Sequence, residues 1–320
     1  MKMRFWLLGL LLLGSFLQSG VTTKVTPKVA PKVAPKVVVV TGASSGIGKS
    51  LVEKLAISEG YRVYGTTRQS DLVGDYKGYS LVKMDPGNTE SVDAAIKMIG
   101  DRESGVDVLV NSASYLVVGS VESVEPDQLL DMFNVNVVGY ARVTRAVLPY
   151  MRKHQSGLIV NISSSQAFEP RGLMESYSAS RSAIEAMSLG QSSYLEDYGV
   201  RVVVFEPGAT NTGIGKSAVI GSATVRGDSA GAQTGSLKRM MVDRLAQGAS
   251  PEIVARRIIN VIGDEMPDFR IPVDSKVFER ARFVYRNPDG NGLREKLRRN
   301  YLNFLKIWGQ AQISLKATSG

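Results

Sequence analysis

The 320-residue chain has no cysteine and a single histidine, His154. Without cysteine there can be no disulfide, zinc thiolate site or cysteine nucleophile. The compartment stays open, because reducing and oxidising surroundings both permit a chain without thiols. One histidine excludes a multi-histidine metal centre, and a Ser–His–Asp hydrolase would have to use that one imidazole. His154 stands in YMRKHQSG, a polar helix end before a strand, where a plain surface residue is expected. No metal site is expected. Hydrophobic residues make up 43% of the chain and charged residues 22%, ordinary for a globular protein. The length allows one large α/β domain with extensions, or two small domains.

Charge of one sign is scarce at both ends. Residues 1–36 hold six Lys/Arg and no acid, and residues 276–320 hold ten Lys/Arg against Glu279, Asp289 and Glu295. With a total of +9, the body between them carries −4. A nucleic-acid-binding body would carry the positive charge itself, so no nucleic-acid partner is expected. Basic ends suit an anionic membrane surface, or simply keep the chain solvated.

Met1–Arg4 is basic and Phe5–Leu17 is an apolar run broken only by Gly9, Gly14 and Ser15. This has the form of a signal peptide or a short membrane anchor over residues 1–20. It implies an endomembrane, ER-associated or secretory location, with cytosolic face and lumen both open. Residues 21–36 form a Pro/Lys linker, because TPKVAPKVAPKV blocks helix and favours an extended spacer. From residue 37 the pattern changes. Strands are expected at 37–41, 61–67, 79–85, 106–111, 157–163, 200–207 and 268–273. Helices are expected at 45–60, 89–99, 127–153, 174–197 and 251–263. Strands apolar on both faces and alternating with helices predict a doubly wound parallel sheet, the Rossmann arrangement, as a single domain over 37–275. A basic, partly helical extension follows over 276–320. The Gly/Ser/Ala-rich stretch 211–250 has weak periodicity, as lids, binding loops and disordered segments do.

The first chemical motif is Thr41-Gly42-Ala43-Ser44-Ser45-Gly46-Ile47-Gly48, between a strand and a helix. Glycine lets backbone N–H groups approach a phosphate, and the helix N-terminus adds positive potential. The same stretch fits a relaxed Walker A, Ala43-x4-Gly48-Lys49-Ser50, for which Asp85 would be the metal-binding carboxylate. That reading leaves the later motifs unexplained.

Those motifs resemble the short-chain dehydrogenase/reductase family. TGASSGIG resembles its cofactor turn, Asn111-Ser112-Ala113-Ser114 its NNAG, and Asn136 in VNVVG the asparagine of its long helix. Ser164 in NISSS resembles its catalytic serine, Tyr177-Ser-Ala-Ser-Arg181 its YxxxK, and Pro207-Gly208-x3-Thr212 the PG motif on the nicotinamide side. The resemblance runs through residues 37–273. It implies a dinucleotide held by Gly42, Ser44, Ser45, Gly46, Ile47, Gly48, Asp85, Asn111, Ala113, Pro207, Gly208 and Thr212, together with Tyr177 and Arg181. It implies Tyr177 as acid/base, Ser164 as polariser of the substrate oxygen and Asn136 as holder of a relay water. The residue types suit this chemistry. An alcohol that gives up a hydride must also lose its O–H proton, and a phenol serves as acid/base where a cation at i+4 stabilises its anion.

Two departures stand out. Arg181 replaces lysine, keeping the charge but not the ability to titrate in a relay, so catalysis is expected to be attenuated. Ser114 replaces glycine and puts a hydroxyl near the cofactor. The second strand ends in Gly65-Thr66-Thr67-Arg68 with no carboxylate. Arg68 can pair with a 2′-phosphate, so NADP(H) is expected over NAD(H). The tail, PEIVARRIINVIGDEMPDFRIPV then NPDGNGLREKL, resembles the estradiol 17-beta/retinol dehydrogenase branch. That implies a small apolar alcohol or ketone of steroid, retinoid or lipid type, and a homodimer. Segment 276–308, with Phe278, Phe283, Tyr285, Leu293, Leu297, Tyr301, Phe304 and Leu305, would rest on a membrane, cover the substrate site or pack on the domain. Two functions follow: an NADP(H)-dependent alcohol/carbonyl oxidoreductase, or a dinucleotide-binding regulatory protein whose chemistry is weakened by Arg181.

Overall fold

The computed structural model describes residues 34–222 and 229–286 and, further on, residues 296, 299, 300, 302, 303, 306 and 307. The chain divides into two units, Met1–Ala34 and Pro35–Gly320. All of the first but Ala34 lies outside the described residues, and with it the expected signal or anchor and most of the linker. Leu293, Leu297, Tyr301, Phe304 and Leu305 lie outside them too.

In chain order the elements are β1 (Lys36–Val40), α1 (Gly46–Ala56), β2 (Tyr61–Thr67), β3 (Gly74–Tyr76), β4 (Tyr79–Lys83), α2 (Thr89–Glu103) and β5 (Val108–Asn111). They continue with β6 (Val117–Val118), α3 (Pro126–Phe133), α4 (Gly139–His154), β7 (Gly157–Ile162), α5 (Glu175–Leu195) and β8 (Val200–Glu206). The series closes with β9 (Val219–Ile220), α6 (Ser229–Ala246), α7 (Pro251–Gly263), β10 (Arg270–Pro272) and α8 (Ser275–Tyr285). The main sheet has the order β10-β8-β7-β5-β1-β2-β4-β3, parallel throughout except for the β3–β4 pair. This is the doubly wound α/β fold expected from the alternation of elements.

The sheet is covered on both faces because alternate strand residues point to opposite sides. Val38 and Val40 of β1 pack with Leu51, Leu55 and Ile258, from α1 and α7. Val37 and Val39 pack with Ile96, Ile99, Val143 and Val147, from α2 and α4. A smaller cluster of Leu116, Val117, Met132, Met174 and Tyr177 sits beside the two-stranded β6–β9 sheet.

Three features depart from the expected elements. The single helix expected over 127–153 is α3 and α4 joined by a π-helical stretch, Asn134–Val138. The stretch 211–250 is not one long loop, since it holds β9 and the helix α6. Its sequence, SAGAQTGSLKRMMVDRLA, dilutes apolar residues with glycine and serine, and the helical period is weak. β3 is an exposed antiparallel edge of three residues with no apolar alternation to reveal it.

Candidate active site

Strand order reverses at β1, with β2 on one side and β5 on the other. In such sheets a crevice opens outside the C-terminal strand ends. Here the crevice is a cleft of about 1050 Å³, lined by the loops after β1, β2, β5, β7 and β8.

The glycine turn forms one wall, and its shape shows why glycine is needed. Gly42 has φ +67°, and a Cβ there would come within 2.8 Å of the Ala113 Cα. A Cβ on Gly48 would come within 2.5 Å of the Gly42 carbonyl oxygen. The loop is held to the end of β5 by Thr41, whose Oγ1 accepts from the N–H groups of Ser112 and Ala113 at 2.9 and 3.0 Å. Ser45, at the N-terminus of α1, makes no side-chain cap bond, so no capping side chain satisfies the first-turn amides at the cleft wall. A Cβ-free cradle at an uncapped helix N-terminus fits a dinucleotide pyrophosphate.

Gly42, Ser44, Ser45, Gly46 and Ile47 line the cleft, as do Arg68, Ala113, Ser164, Tyr177 and Arg181, with Pro207, Gly208 and Thr212 on the β8 side. Four expected residues do not. Gly48 lies beneath the turn, packed on Gly42. One Asp85 carboxylate oxygen accepts from the N–H of Gly87 at 2.9 Å, closing its own turn beside Met84 and Pro86, which do line the cleft. Asn111 is fully buried below the cleft and donates to Asn161 Oδ1 at 2.9 Å and Thr144 Oγ1 at 3.4 Å, so it ties β5 to β7 and not to an adenine. Asn136 is also fully buried. Its amide brackets Tyr115, accepting from the backbone N–H and donating to the carbonyl, both at 2.8 Å, with a further bond to Ser180 Oγ at 3.2 Å. Its side chain thus holds the Tyr115 loop, a task besides the water holding that the resemblance implied. Lys49, the lysine of the Walker-type reading, is exposed and pairs with Glu53 at 3.9 Å, away from the cleft. His154 is exposed at the end of α4, also away from the cleft.

At the other end, α5 presents Tyr177 and, one turn on, Arg181. Both are buried, with exposures of 8% and 2%. The Arg181 guanidinium carbon lies 4.8 Å from the centroid of the Tyr177 ring. One terminal nitrogen donates to the Ile162 carbonyl at 3.1 Å and to Tyr140 Oη at 3.4 Å, and the other donates to Ser114 Oγ. Its Nε has no partner. The two departures from the family pattern, Arg181 and Ser114, are therefore in contact. Burial pulls Arg181 down, but the phenols of Tyr177 and Tyr140 outweigh it and hold the guanidinium above its ordinary value. Burial pushes the Tyr140 phenol up, against the pull of Arg181. Ser164 Oγ accepts from the Gln166 N–H at 3.2 Å, which leaves its own hydrogen to donate.

Behind this pair lies a buried carboxylate couple that sequence reasoning missed. Arg270 on β10 donates to Glu185 on α5 and to Glu206 on β8, the latter at 2.7 Å. Ser163, next to Ser164, donates to Glu185 at 2.7 Å. Burial, with Glu185 nearby, pushes Glu206 up to about 7 despite Arg270. Glu206 ends an apolar strand, which was the one local signal of an acid placed in the core. The cleft also takes in Glu169 and Arg171 from the loop after β7, with Arg244, Arg280 and Lys296 from three places further along the chain.

Comparison with known proteins places this geometry. The short chain dehydrogenase family model matches residues 36–221. A 3-ketodihydrosphingosine reductase of Bacteroides thetaiotaomicron is 31% identical over 238 residues, 74% of this chain and 87% of that protein. A short-chain dehydrogenase structure from Streptomyces avermitilis is 30% identical, covers 86% of this chain and 98% of its own, and superposes with a TM-score of 0.69. A short chain dehydrogenase/reductase from Burkholderia phymatum in complex with NAD shares the fold at 20% identity, covering 80% of this chain and 95% of its own, with a TM-score of 0.71.

Proposed function

Because this chain belongs to the short-chain dehydrogenase family, we propose that it is an NADP(H)-dependent oxidoreductase interconverting an apolar, lipid-like alcohol and its carbonyl. The observation that carries the reading is the buried Tyr177–Arg181 pair, facing the same cleft as Ser164 and the glycine turn.

The turn and the start of α1 would hold the pyrophosphate, Pro207, Gly208 and Thr212 the nicotinamide side, and Arg68 a 2′-phosphate. When bound, the dinucleotide supplies or accepts the hydride. In the reducing direction the Tyr177 hydroxyl gives its proton to the carbonyl oxygen, while the Ser164 hydroxyl donates a hydrogen bond to that oxygen and polarises it. Arg181 steadies the phenolate that remains. A guanidinium keeps its proton, so Tyr177 is reprotonated by a route that does not pass through Arg181. The Bacteroides relative's name specifies a long-chain ketone, which supports a lipid-like substrate here.

A screen of lipid-like ketones with NADPH tests the reading. Oxidation of NADPH is expected, and Tyr177→Phe should lower turnover by about 10²–10⁴-fold. Cofactor binding without any oxidation would instead select the regulatory reading, which is favoured by the commitment of the Arg181 terminal nitrogens to Ser114, Tyr140 and Ile162. Cofactor preference rests on Arg68, exposed at the end of β2 and lining the cleft. NADPH should bind more tightly than NADH, and Arg68→Ala should narrow the difference by about tenfold. Tighter binding of NADH by the wild type would overturn this. The apolar start of the chain and its basic ends support an endomembrane or secretory location, which N-terminal sequencing of the mature protein would test.

A further inference from the structure

The cleft that holds Tyr177 and Ser164 is also lined by Arg171, Arg244, Arg280 and Lys296, against a single carboxylate, Glu169. Arg280 reaches Glu169 at 3.0 Å and Lys296 reaches it at 2.6 Å, so one acid serves two cations. Among the described residues, no carboxylate lies within ion-pair distance of Arg171 or Arg244. Burial and the neighbouring guanidinium of Arg244 pull Arg171 down to about 10; Glu169 opposes this and Arg280 adds to it. The half-buried Arg171 guanidinium has lost part of its water and, among the described residues, has no carboxylate at ion-pair distance, so an anion placed against it would offset that cost.

These cations come from other elements than the dinucleotide residues, and one of them, Arg280, lies beside Gly208. They come from the loop after β7, from α6, from α8 and from the stretch beyond it, whereas the dinucleotide residues follow β1, β2, β5 and β8. Apolar side chains line the same cleft, among them Leu173, Met174, Ile214, Met241 and Leu245. Its volume, about 1050 Å³, is at the upper end of the ~300–1,000 Å³ usual for one small-molecule pocket. The apolar and cationic lining beyond the dinucleotide residues is where a second molecule would sit.

We infer that the substrate is an amphiphile, an apolar chain bearing the reacting carbonyl or alcohol and ending in an anionic head group seated on Arg171 and Arg244. The carbonyl part of this statement rests on the oxidoreductase reading, and the anion part does not. The planar fork of arginine matches a carboxylate or a phosphate equally in kind. An ammonium head would meet four positive groups, and the one carboxylate among them, Glu169, is already taken by Arg280 and Lys296, so a cationic head is disfavoured.

Binding is tested first, without chemistry, by calorimetry on the full chain saturated with NADP⁺, which occupies the other phosphate site. The probes are dodecyl phosphate, dodecanoate, dodecanol and dodecyltrimethylammonium, below their micelle concentrations. The two anions should bind about tenfold more tightly than the alcohol, and the ammonium most weakly. The tighter anion identifies the head group as phosphate or carboxylate. Arg171→Gln and Arg244→Gln should each erase most of the anion's advantage. Arg244 is exposed, so its variant keeps the test decisive even if Arg171→Gln fails to fold. Equal affinity for anion and alcohol, or unchanged affinity in the Arg244 variant, overturns the inference.

Turnover then compares a mid-chain oxo acid with its methyl ester. A kcat/KM about tenfold higher for the acid supports the inference. Equal rates sink the anion site and leave the oxidoreductase reading standing. Anion binding with no ketone turned over does the reverse.

Discussion

The contact between Arg181 and Ser114 is where single residues decide most. Each alone is a departure that would be expected to weaken function: a cation that cannot titrate, and a side chain where the cofactor needs space. Together they form a part-buried hydrogen bond that holds the guanidinium beside the Tyr177 ring. Arg181→Lys removes the fork that reaches Ser114, and Ser114→Gly leaves a buried guanidinium nitrogen without its acceptor. Each single variant should therefore lower kcat/KM, and the double variant should recover part of the loss, with a coupling of about 1–3 kcal/mol. Strictly additive losses in that cycle would show that the contact does no catalytic work. Robust, unchanged turnover in Arg181→Lys would show the substitution to be harmless. Both departures were visible in the sequence. That they touch was not, because 67 positions separate them.

Among the elements, the helix that carries Asn136 is the informative one. Its apolar period reads as one helix, yet the hydrogen bonding widens to π geometry over Asn134–Val138. Asn136 lies in that stretch and holds both backbone polar groups of Tyr115, the neighbour of Ser114. The element thus positions the loop that positions Arg181. Asn136→Ala would leave the Tyr115 N–H and carbonyl unpaired, at a cost of about 2–4 kcal/mol. A melting temperature lower by roughly 5–10 °C and a reduced kcat are expected. An unchanged melting temperature would mean that the loop is held by other contacts. The asparagine itself was legible from its place in VNVVG. Its task was not, because a side-chain amide serves a water or a backbone according to what the fold brings within 3 Å. The helix α6 was missed for a related reason: it forms in a Gly/Ser-rich stretch whose local period does not call for it, and tertiary context overrides weak propensity.

Across the whole molecule, the Glu185–Arg270–Glu206 cluster joins α5, β8 and β10 behind the cleft. Burial, with Glu185 beside it, raises Glu206 from 4.5 to about 7 in the fold. The folded state then holds a proton that the unfolded chain releases, so the contribution of Glu206 to stability is full below about 4.5 and is lost as pH rises through about 7. The loss is at most about 3 kcal/mol. Thermal melts across that window should show the wild type losing stability relative to Glu206→Gln. A wild type that gains stability over the same range would mean that Arg270 outweighs burial.

The alternation of the main strands and helices and the glycine turn after β1 were determined by the sequence alone, whereas β3, β9 and α6 were not. Both depend on local rules, apolar period and glycine between a strand and a helix, whereas Tyr177 and Ser164 were marked by their resemblance to the family's motifs. Tertiary structure alone decided which side chains face the cleft. It sent Asp85, Asn111 and Asn136 to structural hydrogen bonds, brought Ser114 to Arg181, and gathered Glu169, Arg171, Arg244, Arg280 and Lys296 along one cleft. Contacts of that kind depend on how packed elements meet, and no spacing along a chain encodes the meeting of residues more than a hundred positions apart.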